Sequence, residues 1–445
     1  MATAREIALK ILYETEAKDA YLNIVFAKTM RSSGLPPIER ALVKELTVGV
    51  MKHKITLDYA IAKFSSVRLK KISPYILNIL RLGIYQLHFM DKIPASAAVN
   101  ESVKLAKKYG HRASAGFVNA LLKRIAAESL LPIPKRSASE AAYLSIKYSH
   151  PEELCQWYMD TFGDERAEEL LAKNNEKPPI CARVNCLKTN REELIERLKD
   201  EGISAEASHL TDCGILISEG NIEATDSYRK GLLSVQGVSS QLAALVLFPK
   251  AGETVLDLCA APGGKTAHLA ELMGNEGRIF AADLYEHRLQ TVRQNAERLG
   301  ISILSAAQGD ATVEKPEWLE LADKILLDVP CSGLGIIRRK PDIRYKAGLV
   351  DFDEIIRIQK NILNICSKYL KIEGELVYST CTVNPQENMG VVEEFLKEHP
   401  EFVLVPMGNE HIDSALCEEM EKGYITLYPE EEADGFFICK MKRRG

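Results

Sequence analysis

From Gly252 to Thr380 the chain alternates between short apolar runs and longer segments with helical spacing, and this alternation constrains the fold most strongly. The runs predict five strands, and the spacers include two clear helices. The strands are Thr254–Cys259, Arg278–Asp283, Ile301–Ala306, Lys324–Val329 and Glu375–Thr380, and the helices are His287–Leu299 and Ile355–Leu370. Such alternation predicts a mostly parallel, doubly wound α/β sheet. The C-terminal segment, Gly435–Lys442, predicts a final antiparallel strand at the edge of that sheet.

The first 140 residues show helical periodicity and no alternating strand pattern. Apolar residues recur four positions apart, as in Leu42, Leu46 and Val50. The pairs Ser73-Pro74 and Ile93-Pro94 interrupt the periodicity, as the ends of helices do. We therefore expect an all-α N-terminal domain over residues 1–140.

Residues 141–235 combine helical and strand patterns. In chain order they predict a helical stretch, a strand, a second helix and two short strands; the segments are Pro151–Lys173, Ile180–Asn185, Arg191–Asp200, Ile215–Ser218 and Leu232–Val235. We therefore expect a helical linker and a small α+β domain here, with the α/β core occupying residues 236–445.

Charge is distributed unevenly along the chain. Residues 1–140 contain 23 lysine and arginine residues against 11 aspartate and glutamate residues, although the net charge of the whole chain is −5. A basic domain of this kind fits a polyanionic partner. Because the same surplus also fits an ordinary solvated face of a helical domain, charge alone leaves both interpretations open.

Composition limits the class of protein further. No apolar run reaches the ~18 residues of a membrane span, and the N-terminus lacks the apolar stretch of a signal peptide. The 10 cysteines are scattered without a Cys-x-x-Cys pair, which argues against a zinc site or a disulfide framework. We expect a cytoplasmic monomer with no metal and no membrane partner.

Two cysteines follow neighbouring strands of the predicted sheet. Cys331 comes after the run 324–329, and Cys381 comes directly after the run 375–380. The carboxyl ends of parallel strands meet at one edge of the sheet, where open α/β sheets bind their ligands. A thiol at that edge, with Asp328 near it, is placed to attack an electron-poor ring.

The loop after the first strand of the core predicts a nucleoside ligand. It has the sequence Asp257-Leu258-Cys259-Ala260-Ala261-Pro262-Gly263-Gly264-Lys265-Thr266. Its small residues let a ligand approach the backbone. A dinucleotide site requires Gly-x-Gly-x-x-Gly, and a phosphate loop requires glycine where Cys259 stands, so neither pattern fits. Asp283, the last residue of the second strand, suits ribose hydroxyls, and Asp310, after the third strand, suits an adenine amino group.

Together these motifs resemble those of the RNA cytosine-C5 methyltransferases, which use S-adenosylmethionine. The resemblance is carried by three motifs: the loop 257–266, Asp328-Val329-Pro330-Cys331-Ser332-Gly333, and Ser379-Thr380-Cys381-Thr382 followed by Pro385 and Glu387-Asn388. The segment Ile337–Ile343 and the helical N-terminal domain are similar to the bacterial 16S ribosomal RNA members of the RsmB/Sun family, which carry a NusB-like RNA-binding domain. The resemblance implies a Rossmann-like class I methyltransferase core preceded by a small RNA-recognition-like domain.

The resemblance also implies roles for individual residues. It assigns cofactor binding to Cys259, Ala260, Ala261, Pro262, Gly263, Gly264, Lys265, Asp283, Asp310 and Asp328. It assigns the nucleophile to Cys381 and product release to Cys331. Asp328 precedes Cys331 closely in the sequence, and in a protonated or proton-sharing form it is placed to hold the N3 edge of the cytosine and stabilise the adduct. In DNA cytosine methyltransferases the Pro-Cys cysteine attacks instead, which would here be Cys331. The presence of both cysteines is the RNA pattern and favours Cys381.

By the same resemblance, the substrate is 16S ribosomal RNA or a small-subunit assembly intermediate, methylated at cytosine 967. Four basic residues after the second motif are candidates for phosphate contacts, with a solvated basic loop as the alternative; they are Arg338, Arg339, Lys340 and Arg344. Two other functions stay open. One is C5-methylation of a different ribosomal or transfer RNA cytosine, and the other is an RNA-binding assembly or antitermination factor with a vestigial methyltransferase core.

Overall fold

The computed structural model describes residues 2–346 and 351–445, which form two compact units. One unit contains residues 2–177 with 337–346, and the other contains residues 178–336 with 351–445. In chain order the elements are α1 (Ala4–Ala17), α2 (Leu22–Arg31), α3 (Pro37–Phe64), α4 (Pro74–Phe89), α5 (Ala95–Tyr109), α6 (Arg112–Ala126), α7 (Glu140–Tyr148), α8 (Glu152–Phe162), α9 (Asp164–Lys173), β1 (Ile180–Val184), α10 (Arg191–Asp200), β2 (Ser204–Ala207), β3 (Gly214–Glu219), α11 (Asp226–Arg229), β4 (Leu233–Val235), α12 (Val238–Leu247), β5 (Thr254–Asp257), α13 (Gly264–Leu272), β6 (Arg278–Asp283), α14 (Glu286–Leu299), β7 (Leu304–Gln308), β8 (Ala322–Asp328), α15 (Ile343–Lys346), α16 (Phe352–Cys366), β9 (Leu370–Thr380), α17 (Met389–Glu398), β10 (Phe402–Leu404), α18 (Ser414–Glu419), β11 (Tyr424–Leu427) and β12 (Phe436–Arg443).

The first unit is helical throughout its described residues, as the periodicity predicts. Its core is made of apolar residues from several helices; Leu9, Leu46, Leu80 and Leu122 are among them, and each is fully buried. The single helical stretch predicted over 151–173 is wrong, because it consists of two helices, α8 and α9. Gly163 separates them with φ of +78°, a conformation that glycine adopts without steric cost.

The segment 337–346 packs against the helices of the first unit, although it follows the Cys331 motif in sequence. Asp342 accepts a hydrogen bond of 3.0 Å from the backbone N–H of Leu22, at the start of α2. The hydroxyl of Tyr345 donates to the carbonyl of Met51 at 2.7 Å. These bonds hold α15 and the residue before it against α2 and α3.

Arg344 holds this segment most firmly. Its side chain is fully buried, and its guanidinium donates to five oxygens, namely the carbonyls of Lys52, Tyr148, Ser149 and Asn174 and the side-chain oxygen of Asn175, at 2.9–3.2 Å. These acceptors carry only partial charges, and burial lowers the pKa of Arg344 to about 10. The prediction of a phosphate contact by Arg344 does not fit this placement, because the guanidinium is already enclosed by protein oxygens.

The second unit begins with a small antiparallel sheet of strand order β2-β3-β1-β4. Helix α10 packs on it through Leu194 and Leu198, which are fully buried with the sheet residues Val184 and Ile215. The side chain of Asn190 caps the helix by accepting a hydrogen bond from the N–H of Glu193 at 2.9 Å. The predicted α+β insert is therefore confirmed, with β2 as a strand that the sequence pattern did not reveal.

The larger sheet has the order β10-β12-β9-β8-β5-β6-β7, with β11 also paired to β12. The strands from β9 to β7 are parallel, as predicted. The chain runs outward from β5 through β6 to β7 and then returns to β8 on the other side of β5. This reversal creates the switch point at which such sheets bind ligands, outside the carboxyl ends of β5 and β8.

Two predicted strands differ in position. The C-terminal strand β12 is antiparallel as expected, but it is interior, because β10 and β11 pair with its outer side. The third strand of the core, β7, begins at Leu304 rather than at Ile301. Ile301 and Ile303 instead pack on the apolar cluster below the sheet, so their apolar character does not mark the strand.

Apolar layers cover both faces of the large sheet. Consecutive residues of β8 point to opposite sides, with Leu326 in the cluster beneath α12 and Leu327 in the cluster beneath α16. This explains why the strands have continuous apolar sequences. Among the described residues, none of the helices has both the length and the apolar character needed to cross a membrane.

Replacing Arg344 with methionine is expected to destabilise the protein by about 3 kcal/mol, because five oxygens lose a buried donor. Calorimetry of the full-length chain measures this effect. The matched control is Lys340→Met in the same segment, since Lys340 is exposed and its replacement should change stability by less than about 0.5 kcal/mol. Equal effects of the two changes would contradict a structural role for Arg344.

Candidate active site

The two cysteines of interest lie at the ends of adjacent strands. Strands β8 and β9 pair in parallel with Asp328 opposite Ser379, and Cys331 and Cys381 follow in the loops above this pair. Their sulfur atoms are 3.2 Å apart. The predicted meeting of these two strands is confirmed, and it brings two thiols into direct contact at the carboxyl edge of the sheet.

Asp328 lies at the same edge and is held by two neighbours. One carboxylate oxygen accepts a hydrogen bond from the hydroxyl of Ser379 at 3.0 Å. The other pairs with the ammonium of Lys265 at 2.7 Å. Lys265 comes from the first turn of α13, so this ion pair connects the loop after β5 to the end of β8. Sequence reasoning named both residues but did not foresee that they form a pair.

The environment of Cys331 favours its protonated form. A hydrogen bond with Cys381 raises the pKa of Cys331, and burial and the nearby carboxylates of Glu387 and Asp328 raise it further. Each of these effects favours the neutral thiol of Cys331 over its thiolate. A thiolate is the nucleophilic form of cysteine.

The loop after β5 turns tightly into α13. The N–H of Gly263 donates to the carbonyl of Ala260 at 2.8 Å, and Gly263 has φ of +98°. A Cβ atom on Gly263 would lie 3.0 Å from the Cα atom of Val292, which is tighter than most real Cβ contacts. The positive φ and the close approach of Val292 both favour glycine at position 263. The N–H of Ala261 donates at 3.2 Å to Asp283, which places the end of β6 against this loop.

Beside this loop lies a small pocket. It is lined mainly by apolar side chains, namely Leu258, Ala282, Ala311, Val313, Trp318 and Tyr369, together with Gly309, Asp310 and Lys315. One oxygen of Asp310 accepts hydrogen bonds from the N–H and hydroxyl of Thr312, at 2.8 and 2.6 Å. An apolar lining with one carboxylate has the chemical character that suits a purine ring.

Asp283 lies between this pocket and the loop after β5. It is almost fully buried, and besides Ala261 it accepts hydrogen bonds from the N–H of Tyr285 and from Arg288, each at 3.2 Å. These donors orient the carboxylate at the end of β6, where a ribose would meet it. The residues of the site therefore fit an adenosine-containing cofactor.

The predicted RNA-contacting residues belong to the helical unit rather than to the unit that contains the cysteines. Arg344 and Arg338 are buried there, at 0% and 2% exposure. Lys340 is exposed and Arg339 is half-buried. Of the four, Lys340 has the accessibility that a phosphate contact requires.

Sequence reasoning missed several buried polar residues around the site. Arg183 of β1 and Glu271 of α13 are both buried and form a two-point ion pair at 2.7 and 3.0 Å, and Arg183 also donates to the carbonyl of Gly264 at 2.9 Å. Glu387 and Asn388 belong to the third motif, and no role was predicted for either. They lie in a buried hydrogen-bond network beside the cysteines. Residue type alone does not reveal such roles, since glutamate and arginine are usually exposed.

Three sequence profiles match the chain in separate regions. The profile of the family described as 16S rRNA methyltransferase RsmB/F matches residues 244–442. The profile of the NusB family matches residues 2–127, and that of the RsmF/B-like, ferredoxin-like domain matches residues 150–222.

Individual proteins match over the whole chain. The protein named probable ribosomal RNA small subunit methyltransferase B in Bacillus subtilis (strain 168) is 37% identical over 451 residues, which cover 100% of this chain and 99% of the relative. The crystal structure of PH0851 is 28% identical and covers 99% of both chains with a TM-score of 0.81. NSun6 from Pyrococcus horikoshii, crystallised with SFG, is 26% identical and covers 66% of this chain and 98% of its own, with a TM-score of 0.58.

The carboxyl group of Asp257, at the end of β5, is expected to make the stability of the protein depend on pH. Burial raises the pKa of its carboxyl to about 7. Because this folded value exceeds the unfolded value of about 4, the native state loses up to about 1.4 kcal/mol per pH unit between pH ~4 and ~7. Asp257→Asn removes this loss. Its melting temperature relative to wild type should rise from pH 5 to 7 and stay level above pH 7.

The control for this prediction is Asp323→Asn. Asp323 lies near the start of β8, at the opposite end of the strand from Asp328. Burial raises its pKa, but hydrogen bonds from Lys371 and from the N–H of Thr254 outweigh burial, so that its pKa is lowered. Its stabilising effect is therefore complete above pH ~5. The melting temperature of this variant relative to wild type should not change between pH 5 and 8. A parallel pH response of both variants would refute the assignment to Asp257.

Proposed function

The chain belongs to the 16S rRNA methyltransferase RsmB/F family, and from that premise we propose that it methylates carbon 5 of a cytosine in 16S ribosomal RNA, at position 967, through a covalent cysteine adduct. The observation that supports this most directly is the 3.2 Å contact between the sulfurs of Cys331 and Cys381 beside Asp328. Two thiols and a carboxylate at the ligand-binding edge of a class I sheet match the needs of C5 methylation.

The reaction requires covalent help because carbon 5 of cytosine is a poor nucleophile. In the proposed mechanism the thiolate of Cys381 adds to carbon 6 and forms a carbon–sulfur bond. The displaced electrons make carbon 5 nucleophilic, so it takes the methyl group. This divides one difficult step into two easier ones. A base, either water or a side chain of the site, then takes the proton from carbon 5, and the electrons of that bond restore the double bond and expel the Cys381 thiolate.

Asp328 and Cys331 complete the proposed site. Asp328 is assigned to the N3 side of the cytosine, where a proton of its own, or one shared with Lys265, can be donated to N3 and balance the negative charge that develops there. Cys331 is assigned to product release, since its sulfur touches the sulfur that must leave.

S-adenosylmethionine, when bound, supplies the electrophilic methyl group. We propose that the loop from Cys259 to Lys265 accommodates it, that Asp283 accepts hydrogen bonds from the ribose hydroxyls, and that Asp310 faces the adenine. The pocket between Leu258 and Trp318 supports this proposal. So does the solved structure of NSun6, which contains SFG, an analogue of S-adenosylmethionine.

Ribosomal RNA as the substrate is supported by the names of the full-length relatives and by the match to the NusB family. A base within a stacked helix cannot present carbon 6 to a thiol, so the target must be single-stranded or flipped out. Lys340 is proposed to contact a phosphate of this RNA. An enzyme acting on ribosomal RNA is expected to work in the cytoplasm, where ribosomes are assembled.

Substitution of the two cysteines tests the mechanism. With RNA that contains 5-fluorocytosine at the target, Cys381→Ala should abolish both methylation and covalent trapping, because no thiolate reaches carbon 6. Cys331→Ala should still form an adduct with ordinary RNA but should release it slowly. Denaturing gels with radiolabelled RNA measure both effects.

Cys186→Ala is the matched control, since Cys186 is an exposed cysteine in the same unit and its loss should leave both reactions unchanged. The opposite outcome, with trapping lost in Cys331→Ala and retained in Cys381→Ala, would exchange the roles of the two residues. Mapping the methylated base on deproteinised small-subunit RNA tests the position. If the mapped base is a different cytosine, the proposed chemistry still holds, but the assignment of position 967 is wrong.

A further inference from the structure

Glu387 is a fully buried carboxylate next to the two cysteines, and the proposed mechanism gives it no role. It lies in the loop 381–388, between β9 and α17. Within residues 2–346 and 351–445 it forms no salt bridge. Its partners are neutral donors, and a buried carboxylate is tolerated only when such hydrogen bonds compensate for lost hydration.

Three donors surround the carboxylate. The backbone N–H of Ser332 and the side-chain amide of Gln359 donate to one oxygen, at 2.8 and 3.0 Å. The side-chain amide of Asn384 donates to the other oxygen at 3.0 Å. Because each partner donates a hydrogen bond, both side-chain oxygens at position 387 must act as acceptors. A glutamine has an oxygen at one of these positions and an NH2 group at the other, so it could not accept all three hydrogen bonds.

These bonds act on both sides of Cys331. Glu387 holds the N–H of Ser332, the residue after the cysteine. The same nitrogen of Gln359 also donates to the carbonyl of Pro330, the residue before it, at 3.0 Å. The loop that carries Cys331 is therefore fixed through its backbone on either side of the sulfur.

The adjacent residue, Asn388, holds the other cysteine in a similar way. Its side chain accepts a hydrogen bond from the hydroxyl of Thr380 at 2.6 Å and donates to the carbonyl of Thr382 at 3.1 Å. Thr382 and Ser332 also join through their hydroxyls at 2.7 Å. Two neighbouring residues thus hold the two cysteine loops separately, and a hydroxyl pair connects the loops.

From this geometry we propose that Glu387 is a positioning residue for Cys331, and that it acts on the release of the product rather than on the attack by Cys381. The proposal rests on the function proposed above. Glu387 touches neither sulfur through a hydrogen bond, so it acts through the backbone of Ser332. Its negative charge also raises the pKa of Cys331, which is consistent with a neutral thiol at the start of the reaction.

The experiment compares Glu387→Gln with wild type in the full-length enzyme. If Glu387 positions only Cys331, the variant should bind S-adenosylmethionine with unchanged affinity by calorimetry and should still form the covalent RNA adduct. Release should slow by about 100-fold, because a displacement of about 1 Å can cost that factor. The adduct should therefore accumulate on denaturing gels, as it does when Cys331 itself is removed.

Combining the changes provides the decisive comparison. In Cys331→Ala/Glu387→Gln, release should be no slower than in Cys331→Ala alone, because Glu387 has nothing left to position. Glu393→Gln, an exposed glutamate on α17, is the matched control and should turn over like wild type. Three outcomes would each overturn the proposal. The first is additive slowing of release in the double variant, and the second is wild-type turnover in Glu387→Gln. The third is a folded Glu387→Gln protein that forms no adduct.

A second variant covers the case in which Glu387→Gln does not fold. Gln359→Met removes the donor shared by Pro330 and Glu387 and adds no charge, so it should also cause the adduct to accumulate. Unchanged release in this variant would count against the proposal. Failure of the proposed function itself looks different, since the wild-type enzyme would then fail to methylate RNA and Cys331→Ala would accumulate no adduct.

Discussion

The parallel pairing of β8 with β9 is the constraint on which the site depends. Because Asp328 lies opposite Ser379, the chain leaves both strands at the same level, and the loops that follow bring Cys331 and Cys381 into contact. The pairing is specified by apolar residues that are buried on both faces of the sheet. A shift of one residue would exchange the faces and separate the sulfurs.

The side chains and loops of the site are held by many hydrogen bonds but by few charged groups. Lys265 and Asp328 form the ion pair at its centre, while the loops that carry the cysteines are held by backbone and side-chain hydrogen bonds from Glu387, Gln359 and Asn388. Such networks hold a geometry firmly only when their members are satisfied. This requirement explains why neutral residues such as Thr382 and Ser332 are as deeply buried as the apolar core.

The basic segment after Cys331 shows how the same residue type serves different purposes. Arg338, Arg339, Lys340 and Arg344 form one basic cluster in the sequence, but Arg344 is enclosed by oxygens of the helical unit and Lys340 is exposed. A guanidinium presents five donors and so suits a cluster of carbonyls as well as a phosphate. Charge in the sequence therefore could not distinguish the arginine that holds the segment in place from the lysine that faces solvent.

The sequence by itself determined the class of fold and the motifs of the site. Alternating apolar runs suffice for this, because strand and helix periodicities are local, and the strand ends place Cys331, Cys381, Asp283 and Asp328 at one edge of the sheet. The short strands β2, β10 and β11 were not predicted, and β2, with the sequence Ser-Ala-Glu-Ala, lacks the β-branched and aromatic residues typical of strands. Only the tertiary structure decided that Lys265 meets Asp328, that Arg344 is buried and that Glu387 holds Ser332. Those contacts join residues 55 to 292 positions apart along the chain, and no local pattern records which distant donor a buried acceptor will find.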